Sequence, residues 1–280
     1  ALPVDSGAKE TVQKAGYSIA VASFLSETCA ECDLILPAAL GMEAFDDVQT
    51  PYGAGQITYA FARPVAKPFG NARPAGELFI ALAQELGIKL GVKDMPDLLY
   101  KHAFALSAPF RAMMDDGTVH VAKSSAPASR LVYNTAAISK TASAVCPEGE
   151  LQLAPVVVLG MGTAQTGIPP FATKIITSHQ LVGKHSVAQM NGATAKKLKV
   201  ADGDKIKLVA ANKTEITVYV TVFEGILPDT VSLVAGLGHT AFDQFSQNKG
   251  ANVVTLTSIT REPGTNLPVW GLAGVKAVKA

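Results

Sequence analysis

The stretch Val187 to Leu233, VAQMNGATAKKLKVADGDKIKLVAANKTEITVYVTVFEGILPDTVSL, decides how this chain folds. Ala193, Ala195, Lys196, Lys197 and Leu198 form a short helical pattern, and Asp202-Gly203-Asp204 is a turn signal set directly before an alternating segment. In KIKLVA, Ile206, Leu208 and Ala210 share one face. After an Asn212-Lys213 turn, Ile216, Val218, Val220 and Val222 repeat the alternation. This predicts a hairpin with one buried face, because side chains two positions apart point the same way on a pleated strand. Gly225, Pro228 and Asp229 interrupt the pattern before Val231, Leu233 and Val234 open another strand.

Around this segment the chain has 280 residues and 48% hydrophobic content, enough for a sizeable core arranged in two domains. Lys and Arg number 24 against 23 Asp and Glu, so charge gives no footing for nucleic acid or an anionic membrane surface. No apolar run reaches the roughly 18 to 20 residues that span a bilayer, so any membrane association runs through a partner. The opening ALPVDSGAKETVQKAGYSIAVASF has neither a basic n-region nor a long apolar h-region and is not a signal peptide. It reads as the interior of a fold, with a helix over Ala8 to Ala15 and a buried strand over Tyr17 to Phe24.

The second informative stretch is SETCAECDLILPAALGMEAFDDVQTPYG, Ser26 to Gly53. Ser26 can cap a helical turn carrying Glu27, Asp33 to Leu36 form a short parallel strand, and Pro37 stops it. The following loop is expected at the carboxyl edge of a sheet, where open α/β folds place ligands. Cys29 and Cys32 make a C-x-x-C, but structural zinc usually takes four ligands. Cys146 is remote, and the histidines are scattered at 102, 120, 179, 185 and 239. The two cysteines are read as small residues packed on a helix turn, with a disulfide open to them in an oxidising compartment.

From Gln56 a strand, a Pro-rich connection and a helix follow, with Leu78, Phe79, Leu82, Ala83 and Leu86 as the apolar stripe and Gly87 as the cap. Arg63, Lys67 and Arg73 have no Gly-rich phosphate loop beside them and are read as surface charges. Beyond Leu90, DMPDLLYKHAFAL suggests another helix, and a domain boundary is placed near Cys146 to Glu150. His102 and His120 lack partners at ligand or triad spacing. Val156 to Leu159 reads as an apolar strand, and the GMGTAQTGIPPF after it as a loop without a full dinucleotide fingerprint. His239 follows Gly238 with no carboxylate visibly paired to it.

Asn191, Ala195, Leu198, Val200, the Asp202-Gly203-Asp204 turn, Ile206 and Leu208, followed by Gly225, Ile226, Pro228 and Asp229, stand in an order that resembles the C-terminal domain of molybdopterin-dinucleotide oxidoreductases, the dimethyl sulfoxide reductase superfamily. Glu27, Thr28, Ala30, Asp33, Leu36, Pro37 and Glu43 match a second pattern of that family. Ala72-Arg73-Pro74 before a helix ending in L-A-x-x-L-G matches a third. The G-x-G-H, G-A-N and P-G-T-x-x-P elements after Leu233 look closest to polysulfide reductase, the quinone reductase complex and alternative complex III. The resemblance covers nearly the whole chain. It implies an α/β fold class: a partial Rossmann-like parallel-sheet domain over residues 1–148, followed by a double-psi β-barrel for the molybdopterin dinucleotide over 149–280. It also implies cofactor contacts at Thr177, Ser178, His179, Lys184, His185, Ser186 and Asn252. Many family members carry an Arg and a longer insert where this chain has TSHQ and a short connection.

In that family the cysteine cluster for [4Fe-4S] and the ligand to Mo or W lie upstream of anything in this sequence. The chain is therefore expected to be a fragment or a split subunit, with no catalytic or metal-ligating residue of its own. One reading makes it the cofactor-cleft portion of a molybdopterin oxidoreductase subunit that holds molybdopterin guanine dinucleotide, inside a respiratory electron-transfer complex. Another makes it a cofactor-free scaffold in a membrane quinone-linked complex; a third is an unrelated two-domain binding protein. The implied partners are the rest of the catalytic subunit and iron-sulfur and membrane quinone-reactive subunits, on the periplasmic side.

Overall fold

In the computed structural model, residues 2–50, 56–122, 135–136, 150–158, 176–261, 268–269 and 273–279 are described. The first half holds α1 (Ala8–Gln13), β1 (Ile19–Ala22), β2 (Leu34–Pro37), β3 (Asp46–Gln49), β4 (Ile57–Ala62), α2 (Ala75–Glu85), α3 (Met95–Ala105), α4 (Phe110–Asp116) and β5 (His120–Ala122). The second half holds β6 (Leu151–Val156), β7 (Leu181–Val182), β8 (His185–Met190), α5 (Gly192–Leu198), β9 (Lys205–Ala210), β10 (Glu215–Val222) and β11 (Thr230–Val234). The short β12 (Thr260–Arg261) and β13 (Pro268–Val269) and the final β14 (Gly274–Lys279) complete it. By contact the chain divides into two units. One comprises Ala1–Gly16, Leu25–Cys32 and Val132–Ala280; the other comprises Tyr17–Phe24 and Asp33–Leu131.

The first unit is built around the expected hairpin. Gly203 takes φ 84°, which a residue with a side chain rarely adopts. The flanking carboxylates close the turn: Asp202 accepts the N–H of Val222 at 2.9 Å and Asp204 that of Ala201 at 2.9 Å. At the other end Lys213 sits at φ 67° and Asn212 accepts the Thr214 N–H. The strands run in the order β10, β9, β14, β6, β11, β8, and a parallel pairing of β10 with β8 closes them into a six-strand barrel, with β7 appended to β8. β6 and β11 also pair in parallel, while the remaining neighbours are antiparallel. Closure removes free strand edges.

The alternation read from the sequence points inward as expected. Ile206, Leu208, Ala210, Val218 and Val220 are buried with Leu153, Met190 and Val231 in one cluster. Each of the Val, Leu, Ile and Met side chains among them contributes about 1.5–3 kcal/mol when fully buried. Val222, the last residue of β10, is 36% exposed although it pairs with Met190 of β8. The strand expected at Val156 to Leu159 lies earlier, at Leu151–Val156. Its inward side chains are Leu151 and Leu153, set by parallel register with β11, and Val157 is already exposed. Cys146, the GMGTAQTGIPPF loop and most of the P-G-T-x-x-P element fall outside the described residues.

In the second unit β1 and β2 pair in parallel from Ile19 with Leu34 to Ala22 with Pro37. The strand expected to be buried at Tyr17 to Phe24 is half-exposed instead, Ile19 and Leu34 being 47% and 38% accessible, since each strand has a single neighbour among the described residues. β3, β4 and β5 form an antiparallel sheet, whose Tyr59 packs with Ala103 of α3 and Met113 of α4. The apolar stripe of α2 is corrected in part. Ala83 is buried as expected, together with Ile80, whereas Phe79, Leu82 and Leu86 are exposed. Gly76 lies against the Met95 side chain that opens α3, and Ile80 and Ala83 follow Gly76 at helical spacing, so the inward face is that one.

Candidate functional site

At the start of β8 the chain makes a tight hairpin with β7, Leu181 facing Ser186 and Val182 facing His185. Ser186 points inward and is buried; its Oγ accepts the N–H of Ala251 at 2.8 Å. The carbonyl of exposed Lys184 accepts the N–H of Gly250 at 3.0 Å. Asn252 follows directly, its Oδ1 accepting the Val254 N–H and so capping the turn Val253–Leu256. A side chain at Gly238 would strike the backbone of Ala251 and Asn252, and one at Gly250 would strike Ser186 Oγ. Residues 184–186, 237–239 and 248–252 are thus packed backbone to backbone.

The expected contacts divide on this geometry. Lys184, Ser186 and Asn252 come together, although Ser186 and Asn252 spend a polar atom on the protein itself. His185 faces elsewhere, its ring set edge-on to Tyr219 with centroids 5.5 Å apart, while Lys205 Nζ lies 4.9 Å from the centre of the same ring. Thr177, Ser178 and His179 are exposed on the turn before β7, where the Thr177 carbonyl accepts the N–H of Gln180 and the His179 carbonyl accepts a Gln189 Nε2–H.

A contact that the spacing of the sequence does not reveal joins this place. Glu27, on the turn capped by Ser26, accepts the N–H groups of Thr240 at 2.8 Å and Ala241 at 3.1 Å, and its two oxygens lie 3.1 and 3.3 Å from His239 Nδ1. The expectation that His239 lacks a carboxylate is therefore corrected: its partner stands 212 residues away. Next along, Phe242 donates its N–H to the Leu25 carbonyl and holds φ 98°, a conformation costly for a bulky residue. Partial burial pushes the Glu27 carboxyl up. The donors around it, its own backbone and the N–H groups of Ala241 and Thr240, outweigh that together with the imidazole and hold it below the usual value. An ionised carboxylate only accepts, so Nδ1 carries the hydrogen and, in the neutral ring, Nε2 presents a lone pair. Nε2 is closed to solvent and has no hydrogen-bond partner among the described residues. The only sequence signals here were Glu27 in one family motif and His239 in another.

Other polar groupings do not add to this site. Cys29 is buried, with Ser26 Oγ–H donating to its sulfur at 3.2 Å, and Cys32 Sγ–H points to the Thr28 carbonyl. In the second unit Asp47 accepts the Tyr59 hydroxyl and lies 3.1 Å from exposed His102 Nδ1. Arg63 donates to the Met114 carbonyl at the end of α4 and is a structural charge. Among the described residues no group of three or more His, Cys, Asp or Glu gathers to hold a metal, and no helix is long and apolar enough to cross a membrane.

A pterin dinucleotide is rich in N–H donors, carbonyls and phosphate. The barrel loops offer that chemistry an exposed cation at Lys184 and the side-chain amide of Asn252, groups of a kind that suits it, whereas His239 Nε2 is closed to solvent.

Residues 172–268 match the family model described as Molydopterin dinucleotide binding domain. The chain is 43% identical over 281 residues to the menaquinone reductase, molybdopterin-binding-like subunit of Nitratidesulfovibrio vulgaris strain Hildenborough. That alignment covers 100% of this chain and 40% of the relative. Among solved structures, acetylene hydratase from Pelobacter acetylenicus superposes with a TM-score of 0.67 at 16% identity, over 100% of this chain and 42% of that one, a likeness of fold. The chain thus spans about two fifths of the length of the proteins it matches. The barrel unit thus carries the molydopterin dinucleotide binding domain, and the chain is similar along its full length to part of a molybdopterin-binding-like subunit.

Proposed function

We propose that this chain supplies one wall of the cofactor cleft in a molybdopterin-binding subunit of a quinone-linked electron-transfer complex. The observation that carries the reading is the convergence of loops 184–186, 237–239 and 248–252 at one place on the barrel, within the stretch that matches the dinucleotide-binding family model. The two parallel pairs, β6 with β11 and β8 with β10, in an otherwise antiparallel ring support assigning it as a double-psi barrel. The parallel β1–β2 pair supports a partial Rossmann-like layer in the other unit.

When bound, the cofactor supplies the redox chemistry, as such groups do. This chain's residues bind and orient it: Lys184 offers a cation for a phosphate, Asn252 a side-chain amide for a ring, and the Thr177 to His179 turn exposed polar groups. The name of the menaquinone reductase relative supports a quinone-linked complex of several subunits. The remainder of a longer subunit, an iron-sulfur subunit and a membrane quinone-reactive subunit on the periplasmic side are the partners the family resemblance implies.

A second reading, a scaffold that keeps the fold without the cofactor, is favoured by the short TSHQ connection before β7 and by Ser186 and Asn252 being engaged by the protein itself. The deciding experiment is pterin fluorescence after denaturation and oxidation of the intact protein from its source, with elemental analysis for Mo, W and Fe. Pterin with Mo or W supports the cleft. Iron without pterin supports the scaffold.

A further inference from the structure

We propose that Cys29 and Cys32 are a redox-active dithiol, which closes to an intramolecular disulfide by exchange with a small-molecule disulfide that enters at Cys32.

The two thiols stand three residues apart in the chain, and the fold decides what that spacing means. Cys29–Glu31 is a single 3-10 turn, and the Cys32 N–H donates to the Cys29 carbonyl at 3.1 Å. In such a turn residues three apart lie one above the other at a rise of about 2 Å each, so the two Cα atoms are about 6 Å apart. A disulfide spans roughly 4.4–6.8 Å between Cα atoms. Both side chains lean back along the chain, Cys29 Sγ accepting from Ser26 Oγ–H at 3.2 Å and Cys32 Sγ–H donating to the Thr28 carbonyl at 3.4 Å. These are weak sulfur hydrogen bonds, and side-chain rotation is enough to exchange them for a sulfur–sulfur bond.

The turn is also pinned on both sides of the pair. Glu27 accepts the Thr240 and Ala241 N–H groups, and Glu31 takes the Lys9 ammonium and a Gln13 Nε2–H, each at 2.7 Å. A thiol held beside a second one meets it at a high effective concentration, so the ring-closing step outruns loss of the first adduct. Exposure assigns the roles. Cys32 is half-buried and open to a reagent, whereas Cys29 is 4% exposed. The Cys32 thiolate attacks one sulfur of the reagent, forming a mixed disulfide and expelling one thiolate. The Cys29 thiolate then attacks the Cys32 sulfur, forming the Cys29–Cys32 bond and expelling the second thiolate. The protein gives up two protons and two electrons, and the reagent leaves as two thiols.

Two other uses of the pair fit less well. Structural zinc takes four ligands, and no group of three or more gathers among the described residues. Packing as a small apolar side chain accounts for buried Cys29 but not for half-buried Cys32.

The test equilibrates the intact protein with glutathione and glutathione disulfide over a series of ratios, quenches with acid, alkylates, and weighs the peptide that carries both cysteines. The parent peptide should pass from two alkyl groups to none, with the loss of two hydrogens and no glutathione adduct. Cys29→Ser should instead accumulate the adduct at Cys32. Cys32→Ser should react at Cys29 about tenfold more slowly than Cys29→Ser does at Cys32. Two alkyl groups on the parent peptide across the whole series overturn the proposal. A glutathione adduct that persists at Cys32 in the parent overturns it too, as does a bond from either cysteine to Cys146. The parent titration decides the matter even where Cys29→Ser does not fold.

Discussion

Replacing Glu27 by Ala should release the loop 238–242 while leaving the barrel folded. In the native protein the carboxylate accepts three hydrogen bonds, from the Thr240 and Ala241 backbone and the His239 ring. Bonds to a charged acceptor are worth about 1.5–3 kcal/mol each when shielded, but the Glu27 side chain is 42% exposed. Solvent therefore reduces each to about 0.5 kcal/mol, or about 1.5 kcal/mol for the set. That corresponds to about tenfold faster exchange of the Thr240 and Ala241 amides, which hydrogen exchange resolved on peptides spanning 236–250 would detect. The same link is pH-dependent. Because the folded carboxyl titrates below its ordinary 4.5, the contribution is complete above that value and is lost as pH falls through the lower folded one. Protection of the two amides should fade over that acidic range in the parent and show no such step in Glu27→Ala. Unchanged exchange in the variant at neutral pH would refute the reasoning.

Other perturbations probe separate parts of the fold. Leu208→Ala, at a fully buried barrel position, should cost about 2–5 kcal/mol in denaturant unfolding. Ser186→Ala leaves the Ala251 N–H unpaired and should cost about 1–3 kcal/mol, with faster exchange at Gly250 and Ala251. Gly238→Ala places a methyl carbon 2.1 Å from the Asn252 nitrogen at φ 82° and should lower the melting temperature more than Ser186→Ala does. Tyr59 is pushed well above the ordinary phenol value by burial and by its hydrogen bond to Asp47. In an ultraviolet titration one of the six tyrosines should therefore stay protonated after the others ionise. Above pH 10 the unfolded chain sheds that proton and the folded one keeps it, so stability falls with rising pH there.

The barrel was legible because its signals are local. The Asp202-Gly203-Asp204 turn, the alternation at Ile206, Leu208 and Ala210 and the breaks at Gly225 and Pro228 each act within a few residues, and every one of them sits where it was read. The helix α2 was legible as a helix but not in its orientation. Leu78, Phe79, Leu82, Ala83 and Leu86 make as good a stripe as the face through Gly76, Ile80 and Ala83 that is buried, and the glycine against Met95 decides between them. The Glu27–His239 pair was illegible for a different reason. Neither residue has a partner at helical or strand spacing, and only the folding of a turn near the start of the chain onto a loop near its end makes them neighbours. His185 shows the converse: proximity in sequence to Ser186 placed it in the candidate site, and strand alternation turns it away toward Tyr219.

The most direct test of the central claim is an experimental density map of the intact protein from its native source, read at residues 184–186, 237–239 and 248–252. The account expects a fused-ring pterin against these loops. Loops closed over by polypeptide alone, with no pterin density, would contradict it.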